Sequence, residues 1–222
     1  MNTTTYVVIP VYNEAGVIEE VIRDIKKQGL QNILVIDDGS TDNSAALAAA
    51  AGATVLRHML NRGKGAAVTT AIEAAILLNA DSIITMDGDG QHNAHDIPAL
   101  LAAIKTHDVV LGVRTFNSHV MPLSRRIANF LGNAATRLFY GLWVNDSQCG
   151  FRAYSKKAFR KMKTVNDRYE YDSEVIHELA KHKLTYTEVP VEVRYTPYSL
   201  NKQYRQSIMN GVRMIVRLLV SS

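Results

Sequence analysis

The chain has 222 residues, of which 47% are apolar and 21% charged, and its formal net charge is +4. This profile predicts one well-packed globular domain. The mild charge argues neither for nor against a polyanionic partner, and no motif predicts nucleic-acid binding. The single cysteine, Cys149, excludes an intrachain disulfide and a Cys-rich zinc site, and it suits a reducing, cytoplasmic setting. We expect no signal peptide and no membrane span, which needs about 18 apolar residues.

Short apolar runs alternate with helical stretches in the first half of the chain. The predicted strands are Tyr6–Val11, Ile33–Ile36, Ala53–Leu56, Ser82–Met86 and Val109–Val113. Helices are predicted between them, the longest from about Lys64 to Leu78. This alternation is typical of βαβ units, and continuous apolar strands indicate a sheet covered on both faces. We therefore predict an α/β domain with a mostly parallel central sheet flanked by helices.

The alternation breaks down after Arg114. The later predicted elements are helices at Met121–Tyr140 and Asp172–His182, strands at Phe151–Tyr154 and Thr185–Tyr195, and a C-terminal helix from about Tyr204 to Leu219. Apolar residues of the C-terminal helix fall on one face and arginines on another. Such a basic amphipathic helix docks on the protein's own core or on a partner subunit, or rests on an anionic membrane surface.

Polar clusters follow three of the predicted strands. Pro10–Glu14 follows the first strand, Asp37–Ser40 the second, and Asp87–Gln91 the fourth. Functional residues of parallel sheets gather beyond the carboxyl ends of the strands, so we expect these clusters at one edge.

Asp87, Asp89 and Gln91 offer two carboxylates and an amide at alternate positions. In extended backbone, alternate side chains point the same way, so their oxygens converge. Oxygen ligands suit Mg²⁺ or Mn²⁺, whose remaining sites are filled by water and substrate phosphates. Such a metal would neutralise charge on a diphosphate leaving group. A D-x-D triplet also arises by chance as a solvated turn, and its position directly after a buried strand favours the metal site.

The other clusters have simple structural explanations beside the functional ones. Asp37–Ser40 is ordinary turn chemistry, with Ser40 or Asp42 as a helix cap, yet two adjacent acids repel each other and a cap does not require them. A carboxylate there suits a base N–H or ribose hydroxyls. Pro10–Glu14 carries no G-x-G-x-x-G, which argues against a nicotinamide or flavin site. Asn61–Ala67 is glycine-rich and basic and opens a helix, so it suits phosphate or base, although it lacks Walker spacing.

Together these motifs resemble the family 2 glycosyltransferases of GT-A fold, over nearly the whole chain. The matching stretches, in order and spacing, are Pro10–Glu14, Asp37–Ser40, Gly63–Ala66, Asp87–His92, Gly112–Arg114 and Asp146–Arg152. The most similar subgroup is the polyprenyl-phosphate (dolichyl-phosphate) mannosyl- and glucosyltransferases. The resemblance implies a single GT-A domain with a Rossmann-like sheet. Residues 1–114 would form the nucleotide-sugar-binding half, and residues 115–222 the acceptor-binding half with the C-terminal helix.

The resemblance also implies roles for individual residues. The nucleotide-binding set is Pro10, Tyr12, Glu14, Asp38, Gly39 and Lys64. The metal ligands are Asp87, Asp89 and Gln91, and the catalytic set is Asp89, Arg114 and Asp146. Arg114 and Arg125 would face the acceptor phosphate, and Arg194 and Lys202 the donor diphosphate. The segment from Arg194 to Lys202 matches the family's basic loop only loosely.

The implied activity is metal-dependent, inverting transfer of a hexose from a UDP- or GDP-sugar to a polyprenyl phosphate, with Mg²⁺ or Mn²⁺ as cofactor. A lipid phosphate is already an anionic nucleophile that arginines position, whereas a hydroxyl acceptor needs a carboxylate base. Asp146 and Glu174 are the acids that we expect near the acceptor. Two alternatives stay open: transfer to a glycan hydroxyl in cell-surface polysaccharide synthesis, and a non-catalytic nucleotide-sugar-binding protein. We also consider attachment at the cytoplasmic face of a membrane, a membrane-anchored partner subunit and a homo-oligomer.

Overall fold

The computed structural model describes residues 3–115, 137, 141–164, 171–194 and 198. Within them one sheet contains the strands β1 (Thr5–Val11), β2 (Ile33–Asp37), β3 (Thr54–Arg57), β4 (Ser82–Thr85), β5 (Val109–Thr115), β6 (Arg152–Ser155) and β7 (Tyr186–Glu192). The helices are α1 (Ile18–Lys27), α2 (Ser44–Ala50), α3 (Lys64–Leu77), α4 (Ile97–Ala103), α5 (Lys156–Lys161) and α6 (Tyr171–Lys181), with a 3₁₀ turn at Ala94–Asp96.

The strand order is β3-β2-β1-β4-β6-β5-β7. Every neighbouring pair is parallel except those of β6, which runs antiparallel to β4 and β5. The predicted α/β fold with a mostly parallel sheet is therefore confirmed. The reversed β6 was not predicted, and it has a consequence for the site. The segment that enters β6 lies at the same edge as the carboxyl ends of β1, β2, β4 and β5.

Both faces of the sheet are covered, and this burial explains the apolar sequence of β1. Val7 and Ile9 pack in the cluster that contains α1 and α4, while Val8 packs with residues of α3 on the other face. Alternate side chains of a strand point to opposite faces, so both sets must be apolar. All three are fully buried.

Among the described residues of the second half, one helix was not expected from the sequence. The helix α5 was not predicted, because six residues are too few to show helical periodicity. Ser155 caps it by accepting a hydrogen bond from the Ala158 amide (3.2 Å). The predicted C-terminal helix lies outside the described residues, as does the predicted helix at 121–140 apart from Arg137. Among the residues described, no helix is long and apolar enough to cross a membrane.

Candidate active site

Hydrogen bonds tie the loop after β1 to the loop after β2. The Asn13 amide donates to Ser40 Oγ (2.9 Å), and the Thr41 amide donates to Asn13 Oδ1 (2.9 Å). The Glu14 amide donates to Ser44 Oγ (2.7 Å). Asn13 has φ 56°, a left-handed conformation that asparagine tolerates better than most residues. The two segments predicted to hold the nucleoside therefore form one hydrogen-bonded unit.

Asp38 fixes the glycine-rich loop that leads into α3. Its carboxylate accepts from the amides of Arg62 (3.0 Å) and Gly63 (2.7 Å), and it contacts His58 Nδ1 (2.7 Å). The side chain is buried, where an unpartnered charge would be costly. Asp38 thus positions the start of α3, whose first residue is Lys64. Its predicted contact with the nucleoside stays a prediction.

Gly39 lies where any side chain would collide with this loop. Its φ is +75°, and an added Cβ would lie 2.8 Å from Asn61 N and 2.8 Å from the Leu60 carbonyl carbon. Gly29 at the end of α1 has a similar φ of +82°, but nothing lies within 4 Å of its Cβ position. The two glycines therefore separate the effect of backbone conformation from that of close packing.

We expect Gly39→Ala to lower the free energy of unfolding by about 2–4 kcal/mol, because backbone strain and overpacking add. Gly29→Ala is the matched control and should cost about 1 kcal/mol, since only its backbone is strained. Urea denaturation of both variants measures the difference. Equal losses would mean that the contact between Gly39 and residues 60–61 has no energetic weight.

The segment from Asp87 to Gln91 turns directly after β4. Gly88 and Asp89 form the turn, Gly90 has φ 75°, and the Gln91 amide donates to Asp89 Oδ1 (3.0 Å). The expectation of extended backbone here is wrong, because the glycines allow the chain to reverse. Burial, and then the charge of Asp87, raise the pKa of Asp89. The two carboxylates therefore lie on a turn, two residues apart, instead of on an extended strand.

Two basic side chains flank Asp87. Lys64 Nζ lies 2.9 Å from Asp87 Oδ1, and His92 Nε2 lies 3.3 Å from Asp87 Oδ2. Burial opposes ionisation of Asp87, but the charge of Lys64 and the hydrogen bond from His92 outweigh it and hold the pKa of Asp87 well below its usual value. Burial likewise opposes the charge of Lys64, yet Asp172 and Asp87 raise its pKa. Lys64 and Asp87 are therefore an ammonium and a carboxylate at neutral pH.

The oxygen ligands at this turn suit a divalent cation that is bound together with a phosphate. No three His, Cys, Asp or Glu side chains in the described part of the chain are grouped as a metal cage. Mg²⁺, however, commonly binds through one or two carboxylates and fills its remaining sites with water and substrate phosphates. Asp87 and Asp89 provide two neighbouring carboxylates, and Gln91 follows them with an amide oxygen. These residues fit Mg²⁺ or Mn²⁺ better than a softer metal.

The segment Asp146–Arg152 enters β6 and packs against the turn. Thr85 Oγ1, at the end of β4, donates to the Gly150 carbonyl oxygen (2.8 Å). A Cβ at Gly150 would lie 2.6 Å from Lys64 Nζ and 2.6 Å from Asp87 Oδ2. A side chain at this position would displace the ends of Lys64 and Asp87, so glycine lets the backbone approach the pair without disturbing it.

Arg114 and Asp146, both predicted to be catalytic, form a bidentate ion pair. Arg114 Nε donates to Asp146 Oδ2 (2.6 Å), and Nη2 donates to Oδ1 (2.8 Å). Burial opposes the charge of Arg114, but the hydrogen bonds and charge of Asp146 raise the pKa of Arg114, so its guanidinium stays charged. The Arg114 side chain is 24% exposed.

Arg194 lies on the other side of the turn, toward α1. Its Nη2 donates to Asn93 Oδ1 (2.6 Å), and its Nη1 lies 3.3 Å from Asp24 Oδ2. It lines a small pocket with Gly90 and His92. The structure thus brings Arg194 beside the turn but pairs it with α1, and its diphosphate role stays a prediction.

Of the remaining predicted site residues, the structure describes two and leaves two outside the described residues. Pro10 lies in β1 and pairs with Ile36, and Tyr12 follows the strand with 42% of its surface exposed. Arg125 and Lys202 lie outside the described residues. Their predicted roles at the acceptor phosphate and the diphosphate stay predictions.

Comparison with known families identifies the family of the chain. The chain matches the family described as Glycosyl transferase family 2 over residues 6–163, which include β1 to β6 and the motifs at their ends. The match covers most of the chain. The protein belongs to glycosyl transferase family 2. It is therefore a glycosyltransferase, as its resemblance to the family predicted.

Two relatives of this family 2 glycosyltransferase align with nearly its full length, and a third with about two thirds of it. It is 38% identical to an uncharacterized protein of Methanocaldococcus jannaschii, over 97% of this chain and 90% of the relative. It is 32% identical to the UDP-N-acetylglucosamine–dolichyl-phosphate N-acetylglucosaminyltransferase of Methanococcus voltae, over 97% of this chain and 94% of that enzyme. The undecaprenyl-phosphate mannosyltransferase of Micrococcus luteus is 29% identical over 69% of this chain and 67% of its own.

A solved structure shares the fold of this family 2 domain. Glucosyl-3-phosphoglycerate synthase from Mycobacterium tuberculosis, in complex with Mn²⁺, uridine diphosphate and phosphoglyceric acid, superposes with a TM-score of 0.72. The alignment covers 99% of this chain and 78% of that one, at 22% sequence identity. Identity this low supports the predicted GT-A fold and nothing finer.

Residues outside the predicted site set also contact this family 2 site. The His92 ring packs on Phe151, with ring centroids 5.1 Å apart, while it contacts Asp87. Asp172 and Arg152 form a buried pair next to Lys64. The buried pairing of Arg152 could have been predicted from the sequence, because a charged residue at the centre of a predicted apolar strand needs a buried partner. The role of Asp172 could not have been predicted in this way, since an acidic residue at a predicted helix start is ordinary.

Proposed function

We propose that this glycosyltransferase transfers a hexose from a UDP- or GDP-sugar to a polyprenyl phosphate, with inversion at the anomeric carbon and with Mg²⁺ or Mn²⁺. The observation that carries the proposal is the contact of Lys64 with Asp87 at one sheet edge, in a turn that also holds Asp89. The relatives named for dolichyl phosphate and undecaprenyl phosphate support the acceptor. The shared fold is compatible with this donor and metal, because a protein of that fold was solved in complex with uridine diphosphate and Mn²⁺.

The donor would be bound by the loops after β1, β2 and β4. Pro10, Tyr12, Glu14, Asp38 and Gly39 would hold the nucleoside, and Asp87, Asp89 and Gln91 the metal. In this proposal residues 1–114 are the nucleotide-sugar-binding half of a single domain, and residues 115–222 the acceptor-binding half. The hydrogen bonds that join the loops after β1 and β2, and that tie Asp38 to Gly63, support a preorganised nucleoside site, which lowers the ordering cost of binding.

The chain's own residues would stabilise the leaving group and position the acceptor. A bound metal supplies positive charge for the departing diphosphate. The Lys64 ammonium, 2.9 Å from Asp87, lies where it can donate to a diphosphate oxygen held at the same turn. Arg114 would direct the acceptor phosphate, since a guanidinium fork matches phosphate oxygens. The acceptor would attack from the face opposite the nucleotide, which inverts the anomeric carbon, and its anionic phosphate oxygen needs no proton acceptor.

Transfer to a glycan hydroxyl is the second candidate, with Asp146 or Glu174 as the base. Both oxygens of Asp146 already accept hydrogen bonds from Arg114, so the carboxylate is engaged by the cation and not directed at an acceptor hydroxyl. This occupancy favours the phosphate acceptor. A polyprenyl phosphate also requires access to a membrane surface at its cytoplasmic face, through peripheral contact or an anchored partner subunit.

A thermal-shift screen tests the donor half of this proposal. We expect either uridine diphosphate or guanosine diphosphate to raise the melting temperature when Mn²⁺ is present and to act weakly without it, because a ligand stabilises the state that binds it. Absence of a shift with both nucleotides would contradict the proposal. Incubation with the matching labelled sugar donor and either polyprenyl phosphate or a free glycan then identifies the acceptor. Binding without release of nucleoside diphosphate would indicate a non-catalytic binding protein.

A further inference from the structure

Asp172 and Arg152 form a buried charge pair behind Lys64. Asp172 Oδ1 lies 3.3 Å from Arg152 Nη2, and the two side chains are 5% and 1% exposed. The other carboxylate oxygen, Asp172 Oδ2, lies 3.4 Å from Lys64 Nζ. Lys64 is therefore shared between two carboxylates, because its ammonium also lies 2.9 Å from Asp87.

Asp172 is held in place without the Asp87–Gln91 turn. It lies in the first turn of α6, where the positive end of the helix dipole favours a carboxylate. Arg152 is fixed by β6 and donates from Nη2 to the Ser147 carbonyl oxygen (2.7 Å). Lys64, the first residue of α3, thus has one anchor in the turn and a second anchor in the core of the domain.

We propose that Asp172 is a positioning residue that keeps Lys64 beside the donor diphosphate after a metal ion has engaged Asp87. This inference rests on the proposed function, in which Asp87 holds the metal. A divalent cation at Asp87 competes with Lys64 for the same carboxylate, and repels the ammonium. Asp172 is not in the candidate metal set, so it retains the lysine when Asp87 no longer can.

Simple electrostatics and this proposal predict opposite changes in nucleotide affinity when the Asp172 carboxylate is removed. Removing a negative charge near an anionic ligand reduces repulsion, which by itself strengthens nucleotide binding. Removing the anchor of Lys64 frees its ammonium to leave the site, which weakens binding through a lost charge-assisted hydrogen bond. The presence or absence of Lys64 decides which effect is measured.

Titration calorimetry at saturating Mn²⁺ tests the proposal with uridine diphosphate and guanosine diphosphate. The four proteins are wild type, Asp172→Asn, Lys64→Met and the double variant. We expect Asp172→Asn to weaken binding about tenfold or more when Lys64 is present, the size of one hydrogen bond to a charged group. In the Lys64→Met background the same change should leave binding equal or tighter. Equal weakening in both backgrounds, or no weakening with Lys64 present, overturns the proposal.

Two controls keep the outcome interpretable. If wild type binds neither nucleotide, the proposed function fails, and this inference fails with it. If Asp172→Asn alone unfolds, as a melting curve would reveal, Arg152→Met with Asp172→Asn removes both buried charges together. Neutralising both members of a buried pair leaves no uncompensated buried charge, whereas removal of one partner does. We expect this pair of changes to weaken nucleotide binding when Lys64 is present and to leave it equal or tighter in the Lys64→Met background.

Discussion

Asp89→Asn is expected to reduce sugar transfer by about a thousandfold, as the loss of a main electrostatic group at a leaving diphosphate does. The amide keeps the size of the side chain and an oxygen that accepts from the Gln91 amide, so the turn should persist. It removes one of the two neighbouring carboxylate charges at the proposed metal site. Initial rates at saturating Mn²⁺ and donor measure the loss, and melting curves check the fold.

Asp81→Asn is the matched control, because it makes the same change at the opposite end of β4. Asp81 is 44% exposed, accepts from the Thr4 amide (2.9 Å) and lies 3.7 Å from Lys156 Nζ. Such surface pairs contribute little to stability, and we expect its transfer rate to stay within about twofold of wild type. Full Mn²⁺-dependent activity in Asp89→Asn would remove the turn from consideration as the metal site.

The sheet could be predicted from the sequence because its strands are buried on both faces. Ile33–Asp37 is buried at every position, so its apolar run admits few other interpretations. The direction of β6 could not be predicted in the same way. Its apolar pattern is the same in either orientation, and only the topology decides that it runs against β4 and β5. That reversal brings Gly150 to the active-site edge.

The motifs of the site were visible in the sequence, but their partners were not. Lys64 and Asp172 are 108 positions apart, and Arg114 and Asp146 are 32 apart, so no local spacing predicts either pair. The prediction of extended backbone at Asp87–Gly90 was wrong for a related reason. Alternation of acidic residues is equally compatible with a strand and with a turn, and two glycines there favour the turn.

Arg114→Lys is expected to lower transfer to polyprenyl phosphate by about a hundredfold, which is the cost of a small misplacement of a reacting group. Lysine keeps the charge but lacks the fork, so it cannot hold both oxygens of Asp146 and still direct a phosphate. Nucleotide binding should stay within about twofold of wild type, because Arg114 belongs to the proposed acceptor side. Transfer rates and calorimetry on the same variant separate the two effects.

Arg23→Lys is the matched control for this change, since Arg23 also pairs with a carboxylate, Glu19, at 2.6 Å, but on the exposed surface of α1. Its transfer rate should not change. If Arg114→Lys transfers to polyprenyl phosphate at the wild-type rate, the guanidinium fork does not direct the acceptor. A strong loss of transfer to free glycans in Asp146→Asn would then favour Asp146 as a base for a hydroxyl. The acceptor class therefore depends on whether this ion pair acts through its cation or through its carboxylate.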